Sequence, residues 1–285
     1  MRILVTGSDG QLGQALRAVL EPDHEVLWGD LPDLDVRKPT ELRKLALGQR
    51  PELILHLAAC TDVDLCEREP ERAFAVNTRG TRNVALAARE VGARMVFVSS
   101  DYVFDGSQSR AYQEYDTPAP LNQYGWSKLH GERAVRDLVP EHCVVRTSGL
   151  FGPGGRNFAR SIWEAQRRQS VLRVVCDQTC RPTYSRDLAS ALGSLISGGH
   201  LGVFHVASQG AARWCDFARA VVQAAGGEGT RVVEISSDEL GRPARRPVHS
   251  VLATHVFEEL TGGVLPHWRE GLAAYIRDLR AAGEG

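Results

Sequence analysis

The segment Gly7-Ser8-Asp9-Gly10-Gln11-Leu12-Gly13 follows directly on the apolar run Arg2–Thr6 and opens the amphipathic stretch Gln11–Leu20. No other feature of the chain constrains its fold as strongly. Three glycines at three-residue spacing let a strand turn tightly into a helix, and they leave bare backbone N–H groups at the helix N-terminus, where a pyrophosphate can sit. The pattern alone is weak. With 28 glycines in 285 residues, a chance match is expected in roughly a quarter of such chains. Its place between a first strand and a first helix favours a dinucleotide loop over a plain glycine turn.

The chain continues in the same rhythm. Residues 25–28, 53–57, 95–99 and 143–146 are short runs rich in Val, Ile and Leu, and read as buried strands. Between them lie helical patterns over 39–47, 70–91 and 124–138, while Gln11–Leu20 places Leu12, Ala15, Leu16 and Val19 on one face. Strand and helix in alternation call for an α/β fold, a parallel Rossmann sheet wound on both sides, because each crossover must travel back across a face. The rhythm breaks at residues 151–155, a loop with three glycines and a proline. Beyond it, Val171–Val175 and 232–235 read as small strands. A helix over 185–196 and a strand over 202–206 return to the first sheet, and a helix over about 267–280 closes the chain. The expected organisation is therefore discontinuous: residues 1–148 with 184–208 form the dinucleotide-binding domain, and 149–183 with 209–285 a smaller α/β substrate-binding domain.

Composition removes several classes of function. Lys and Arg number 34 against 35 Asp and Glu, a formal charge of −1, so no strong field draws nucleic acid or an anionic membrane. No apolar run approaches the ~18 residues that span a bilayer, and the chain begins on a strand pattern where a signal peptide would carry basic and apolar regions. The expected setting is the cytoplasm. Six cysteines, Cys60, Cys66, Cys143, Cys176, Cys180 and Cys215, spread over a core-forming chain read as reduced thiols. No metal site is expected, since Cys176 and Cys180 lack zinc spacing and the nine histidines form no H-E-x-x-H.

Chemistry is carried by Tyr124 and Lys128. Four residues apart at a helix start, they share a face, a phenol beside an ammonium. With six tyrosines and only three lysines, chance supplies about 0.06 such pairs in a chain of this length. A tyrosine needs a neighbouring positive charge to exchange protons near neutrality. Ser100, at the carboxyl end of the fourth strand, stands where sheet enzymes of this kind hold a substrate oxygen, and Asp30 closes the second strand where a carboxylate meets the adenine-side ribose.

Together these residues resemble the extended short-chain dehydrogenase/reductase superfamily, and within it the dTDP-4-dehydrorhamnose reductase family. The segments that carry the resemblance are Gly10-Gln11-Leu12-Gly13, Ala58-Ala59-Cys60-Thr61-Asp62-Val63-Asp64, Ser100-Asp101-Tyr102-Val103-Phe104-Asp105-Gly106, Tyr124-Gly125-Trp126-Ser127-Lys128 and Asp177-Gln178 with Pro182-Thr183, joined by Arg246-Pro247 and Ser250. The resemblance implies reduction of a 4-keto group on a nucleotide-linked 6-deoxysugar. Ser100 would polarise the ketone, Tyr124 would protonate the forming alkoxide, and Lys128 would hold the nicotinamide ribose and lower the tyrosine pKa. Gly7, Gly10, Gln11, Leu12, Gly13, Asp30, Ala58, Ala59 and Thr61 would line the cofactor, and Asp101, Tyr102, Asn157 and Arg246 would contact substrate. For Asn157 and Arg246, loop capping and a plain surface charge are the competing readings. Asp30 followed by Leu31, where many relatives carry arginine, favours NAD(H), with NADP(H) kept open. A homodimer is also left open.

Two alternatives belong to other classes: a nucleotide-sugar epimerase of the same superfamily, and a non-catalytic dinucleotide-binding regulatory subunit. Dehydration is disfavoured, because Tyr102 stands where dehydratases resemble one another in carrying glutamate. One departure concerns substrate choice. Relatives read Arg-Thr-Ser-Trp where this chain reads Arg146-Thr147-Ser148-Gly149, which leaves an aromatic wall to be supplied by another residue, with Phe151 and Trp163 as expected sources.

Overall fold

The computed structural model describes residues 1–227 and 229–281. In chain order its strands are β1 (Arg2–Thr6), β2 (Glu25–Gly29), β3 (Leu53–His56), β4 (Arg94–Ser100), β5 (His142–Thr147), β6 (Leu150–Phe151), β7 (Val171–Val175), β8 (Thr179–Cys180), β9 (Thr183–Tyr184), β10 (Gly202–His205), β11 (Ala212–Arg213) and β12 (Arg231–Ile235). The helices are α1 (Gln11–Leu20), α2 (Pro39–Gln49), α3 (Val63–Arg68), α4 (Pro70–Ala73), α5 (Thr81–Val91), α6 (Gln123–Leu138), α7 (Phe158–Ala165), α8 (Ser185–Ser197), α9 (Trp214–Ala225), α10 (Ser237–Leu240), α11 (His255–Thr261) and α12 (Trp268–Ala281). A π-helical segment, Phe74–Gly80, joins α4 to α5.

Six strands form one sheet in the order β10-β5-β4-β3-β1-β2, every pair parallel. Parallel strands buried on both faces read as continuous apolar runs, and β3, Leu-Ile-Leu-His, is buried at every position. Successive side chains point to opposite faces. Ile3, Val5, Leu53 and Leu55 pack under Leu12 and Leu16 of α1 and Leu188 and Leu192 of α8. Leu4 and Ile54 face Leu42 of α2, Val84 and Ala88 of α5 and Val135 of α6. A separate core gathers Phe151, Trp163 of α7, Leu172 and Val174 of β7, Phe217 and Val221 of α9, and Trp268, Tyr275 and Ile276 of α12. Beside it β7 and β12 pair in parallel.

Two expectations are corrected here. Residues 70–91 are not one helix, because the π segment interrupts them. The segment buries Asn77 and Gly80, not an apolar stripe, and such turns are frequent at functional sites. The six cysteines are not all thiols either: Cys176 and Cys215 are bonded to each other, 39 residues apart, while Cys60, Cys66, Cys143 and Cys180 are free. Cys176 follows β7 and Cys215 lies in the first turn of α9, so tertiary packing brings together two residues whose sequence spacing carries no signal.

Candidate active site

β2 lies on one side of β1 and β3 on the other, and at such a reversal a doubly wound sheet opens a crevice at its strand ends. The crevice here is a cavity of about 1010 Å³. It runs from the glycine loop after β1, past the ends of β3 and β4, to residues of β8 and α9.

At one end the site is built from backbone. Gly7 has φ +77°, and a Cβ on it would stand 2.5 Å from the Ala58 nitrogen; on Gly13 it would stand 2.3 Å from the Ser8 carbonyl oxygen. Both positions therefore require glycine for internal packing. Gly10 differs, since the nearest atom to a Cβ there is 3.4 Å away. Among the described residues nothing crowds a side chain at Gly10, yet it lines the cavity, and bare backbone there suits the close approach of a pyrophosphate. Asp30 accepts from the Asp9 and Leu31 amides, each at 2.8 Å, and so tightens the loop at the ribose end. Gln11, Leu12, Ala58, Ala59 and Thr61 line the same cavity. Gln11 also donates to the Arg156 carbonyl at 3.3 Å, and Leu12 packs into the core beneath.

At the other end the site is built from side chains. Asn122 caps α6 by accepting from the Gly125 amide at 2.8 Å, and the helix then presents Tyr124 and Lys128 to the cavity. Lys128 is buried, donates to the Val98 carbonyl at 2.7 Å and lies 4.3 Å above the Phe97 ring. Burial lowers its pKa to about 7, with Glu132 opposing. Tyr124 is shifted upward, mainly by burial, with a hydrogen bond to Ser100 acting the other way. In the protein alone the lysine is turned to Val98 and is not among the groups that shift the phenol. Ser100 donates to Asp101 Oδ1 at 3.1 Å and accepts from the Tyr102 amide at 3.1 Å. Asp101 also accepts from Ser148 at 2.8 Å and Ser250 at 2.6 Å, and burial raises its carboxyl to about 6 against these three hydrogen bonds. The Tyr102 ring stands edge-on to Tyr124, 5.9 Å between centroids.

Arg246 lines the cavity, 10% exposed, and donates to Asp64 at 2.9 Å; Arg242 reaches the same carboxylate at 3.4 Å. Two guanidinium groups on one carboxylate leave an excess positive charge, which suits a diphosphate. Asn157 is not among the lining residues. It caps α7 by accepting from the Arg160 amide, and its NH₂ group faces Gln11, Gly152, Gly155 and Tyr275. The competing reading of Asn157 as a cap is the one the geometry supports. Phe151 and Trp163 are corrected as well, since both are buried in the second core. The aromatic ring that reaches the cavity beside Gly149 belongs to Trp214.

Several residues that hold the site escaped sequence reasoning. Asn77, in the π segment, accepts from the Cys60 amide at 2.7 Å and donates to the Cys60 carbonyl at 3.0 Å and to Ser127 at 2.9 Å, tying the β3 loop to α6. Arg146 in β5 makes a two-pronged pair with Glu132 of α6 at 2.9 and 2.7 Å, side chains 2% and 1% exposed, and Ser99 donates to the same carboxylate at 2.6 Å. An arginine inside an otherwise apolar strand was a usable signal for such a partner.

The RmlD substrate binding domain family model matches residues 1–281. The chain is 36% identical to a dTDP-4-keto-6-deoxy-D-glucose reductase of Streptomyces niveus over 282 residues, 98% of each protein. A crystal structure of a dTDP-4-dehydrorhamnose reductase of Clostridium acetobutylicum superposes with a TM-score of 0.95 at 36% identity, covering 98% of this chain and 100% of that one. The dTDP-4-dehydrorhamnose reductase of Bacillus anthracis in complex with NADP superposes with a TM-score of 0.93 at 35% identity, covering 97% and 99%.

Proposed function

The chain belongs to the dTDP-4-dehydrorhamnose reductase family, matched by the RmlD substrate binding domain model over residues 1–281, and from that premise we propose that it reduces the 4-keto group of a nucleotide-linked 6-deoxysugar at the expense of NAD(P)H. The observation that carries this reading is the convergence of Ser100, Tyr124 and Lys128 with the glycine loop on one cavity. Residues 1–148 with 184–208 serve the cofactor in this reading, and 149–183 with 209–285 the sugar nucleotide, in a cytoplasmic protein.

The bound nicotinamide supplies the hydride. Gly7, Gly10 and Gly13 would give the pyrophosphate a bare loop, Asp30 would hold the adenine-side ribose, and Lys128 the nicotinamide ribose. Ser100 turns its hydroxyl from Asp101 to the ketone oxygen, while Ser148 and Ser250 continue to hold Asp101. Tyr124, kept protonated by burial, gives its proton to the oxygen as negative charge develops there. Arg246 and Arg242 receive the diphosphate.

The test is a panel of 4-keto sugar nucleotides scored by cofactor oxidation and by the identity of the alcohol formed. Turnover of at least one member supports the reading, and none on a folded, cofactor-binding protein refutes it. Within that panel NADH is expected to give the higher kcat/KM, because the Asp30 carboxylate repels a 2′-phosphate and Leu31 offers no counter-charge. A higher value with NADPH overturns this preference and leaves the reaction class standing.

A further inference from the structure

Thr147 is paired with Ser100 across β5 and β4. Two residues later Gly149 turns with φ +55°, and a Cβ there would lie 3.1 Å from Pro182 Cα, 3.4 Å from Cys180 Sγ and 3.4 Å from Trp214 Cη2. The indole edge thus abuts a floor without a side chain, at the corner of the cavity next to the reacting groups. Cys180 ties that corner to them, since it is buried and near enough to the Asp101 carboxyl for that group, after burial itself, to help keep its thiol protonated.

The indole is held firmly. The Trp214 amide donates to the Gln178 carbonyl at 3.3 Å, and the preceding Arg213 pairs with Thr179 in the β11–β8 ladder. Cys215, the next residue, is bonded to Cys176. Phe158, which also lines the cavity, packs against the ring at 4.6 Å between centroids, and Phe217 at 6.1 Å. Trp214 is nonetheless only half-buried and lines the cavity. A partly exposed apolar ring held in place by its neighbours matches the C–H face of a pyranose ring, the more so when C6 is a methyl group.

We propose that Trp214 is the specificity-determining wall of the sugar subsite, packing against the C–H face and C6 methyl of the ring while Ser100 and Tyr124 hold the oxygen at C4. The proposal rests on the reductase reading, so its test has one arm that needs turnover and one that does not. In the first, kcat/KM is measured for wild type, Trp214→Leu and Trp214→Phe with the dTDP-linked 4-keto-6-deoxy sugars of the gluco and rhamno series. Trp214→Leu is expected to lose about 10- to 100-fold on the preferred sugar, chiefly through KM, and to change the ratio between the two sugars. Trp214→Phe should recover part of the loss, and the KM for NADH should stay within about twofold in both variants. An unchanged sugar ratio, or a rise in NADH KM that parallels the loss, overturns the proposal. In the second arm, the indole N–H resonance that vanishes in Trp214→Phe is followed while a non-reducible dTDP-hexose is added. A shift supports the wall even if no keto sugar turns over, in which case the reductase reading fails alone. An unmoved resonance overturns the wall even if turnover is fast.

Discussion

The two ends of the cavity are made in opposite ways. The glycine-loop end rests mainly on main chain: Gly7 and Gly13 are glycine because Ala58 and Ser8 leave no room for anything else, and the Asp30 carboxylate at the end of β2 is fastened by main-chain amides. The reacting end is side chains from distant stretches. Ser100 and Asp101 come from the end of β4, Tyr124 and Lys128 from α6, Ser148 from beyond β5, Trp214 from α9, and Ser250 from beyond α10. A site made of backbone tolerates little change and binds what all members of a fold bind. A site made of side chains can be altered one residue at a time, which is where substrate choice and chemistry are set.

Tyr124→Phe should separate the two ends most sharply. It removes the proton donor and leaves the loop untouched, so kcat should fall by about 10²–10⁴-fold while NADH affinity, read by calorimetric titration, stays near that of wild type. Retention of more than half of kcat removes Tyr124 from the chemistry. Gly13→Val attacks the other end. Its Cβ would meet the Ser8 backbone, so NADH affinity should fall by at least about tenfold, with a lower melting temperature. A normal melt with normal NADH binding would show that the loop is more pliant than this packing allows.

A smaller effect is expected from Asp101→Asn. The folded-state pKa of Asp101 is raised to about 6 by burial, above the ordinary value of about 3.9. The folded protein therefore holds this proton better than the unfolded chain does. The resulting stabilisation is complete below the unfolded pKa and is lost as pH rises through 6. Melting temperatures should show wild type losing ground to Asp101→Asn between pH 4 and pH 7, and parallel curves would mean that Asp101 keeps an ordinary pKa. The smallest expected effect is none: among the described residues the cluster spaced for a metal is Cys176, Cys215 and Glu234, and its two sulfurs are bonded to each other, so EDTA should leave activity and elution volume unchanged. A clear loss of either would introduce a metal that the reading above does not contain.

The same contrast explains what the sequence disclosed. The glycine loop, the sheet strands and the Tyr124/Lys128 pair are local, and local patterns survive in one dimension. The helix break at Phe74–Gly80 is local too, yet periodicity passes over it because a π turn adds a residue without changing composition. Asn77, the serines around Asp101 and the Cys176–Cys215 bond depend on residues that meet only after the chain has folded. Asn157 misled for a related reason: an asparagine in a glycine-rich loop serves a ligand or a helix cap equally well, and only the folded partners decide. Trp214 lies 65 residues beyond Gly149 in the chain, and only the fold brings its ring beside that glycine.

The buried Arg146–Glu132 pair has a bearing on how such an enzyme can change over generations. A pair of this kind is weak evidence for extra stability, yet losing one partner is costly because it strands the other charge. Here it pins α6 to β5, and with α6 the phenol and the ammonium that face the reaction. If Trp214 walls the sugar as proposed, a substitution there or at Gly149 would reshape the sugar subsite while this pair continues to hold α6 in place.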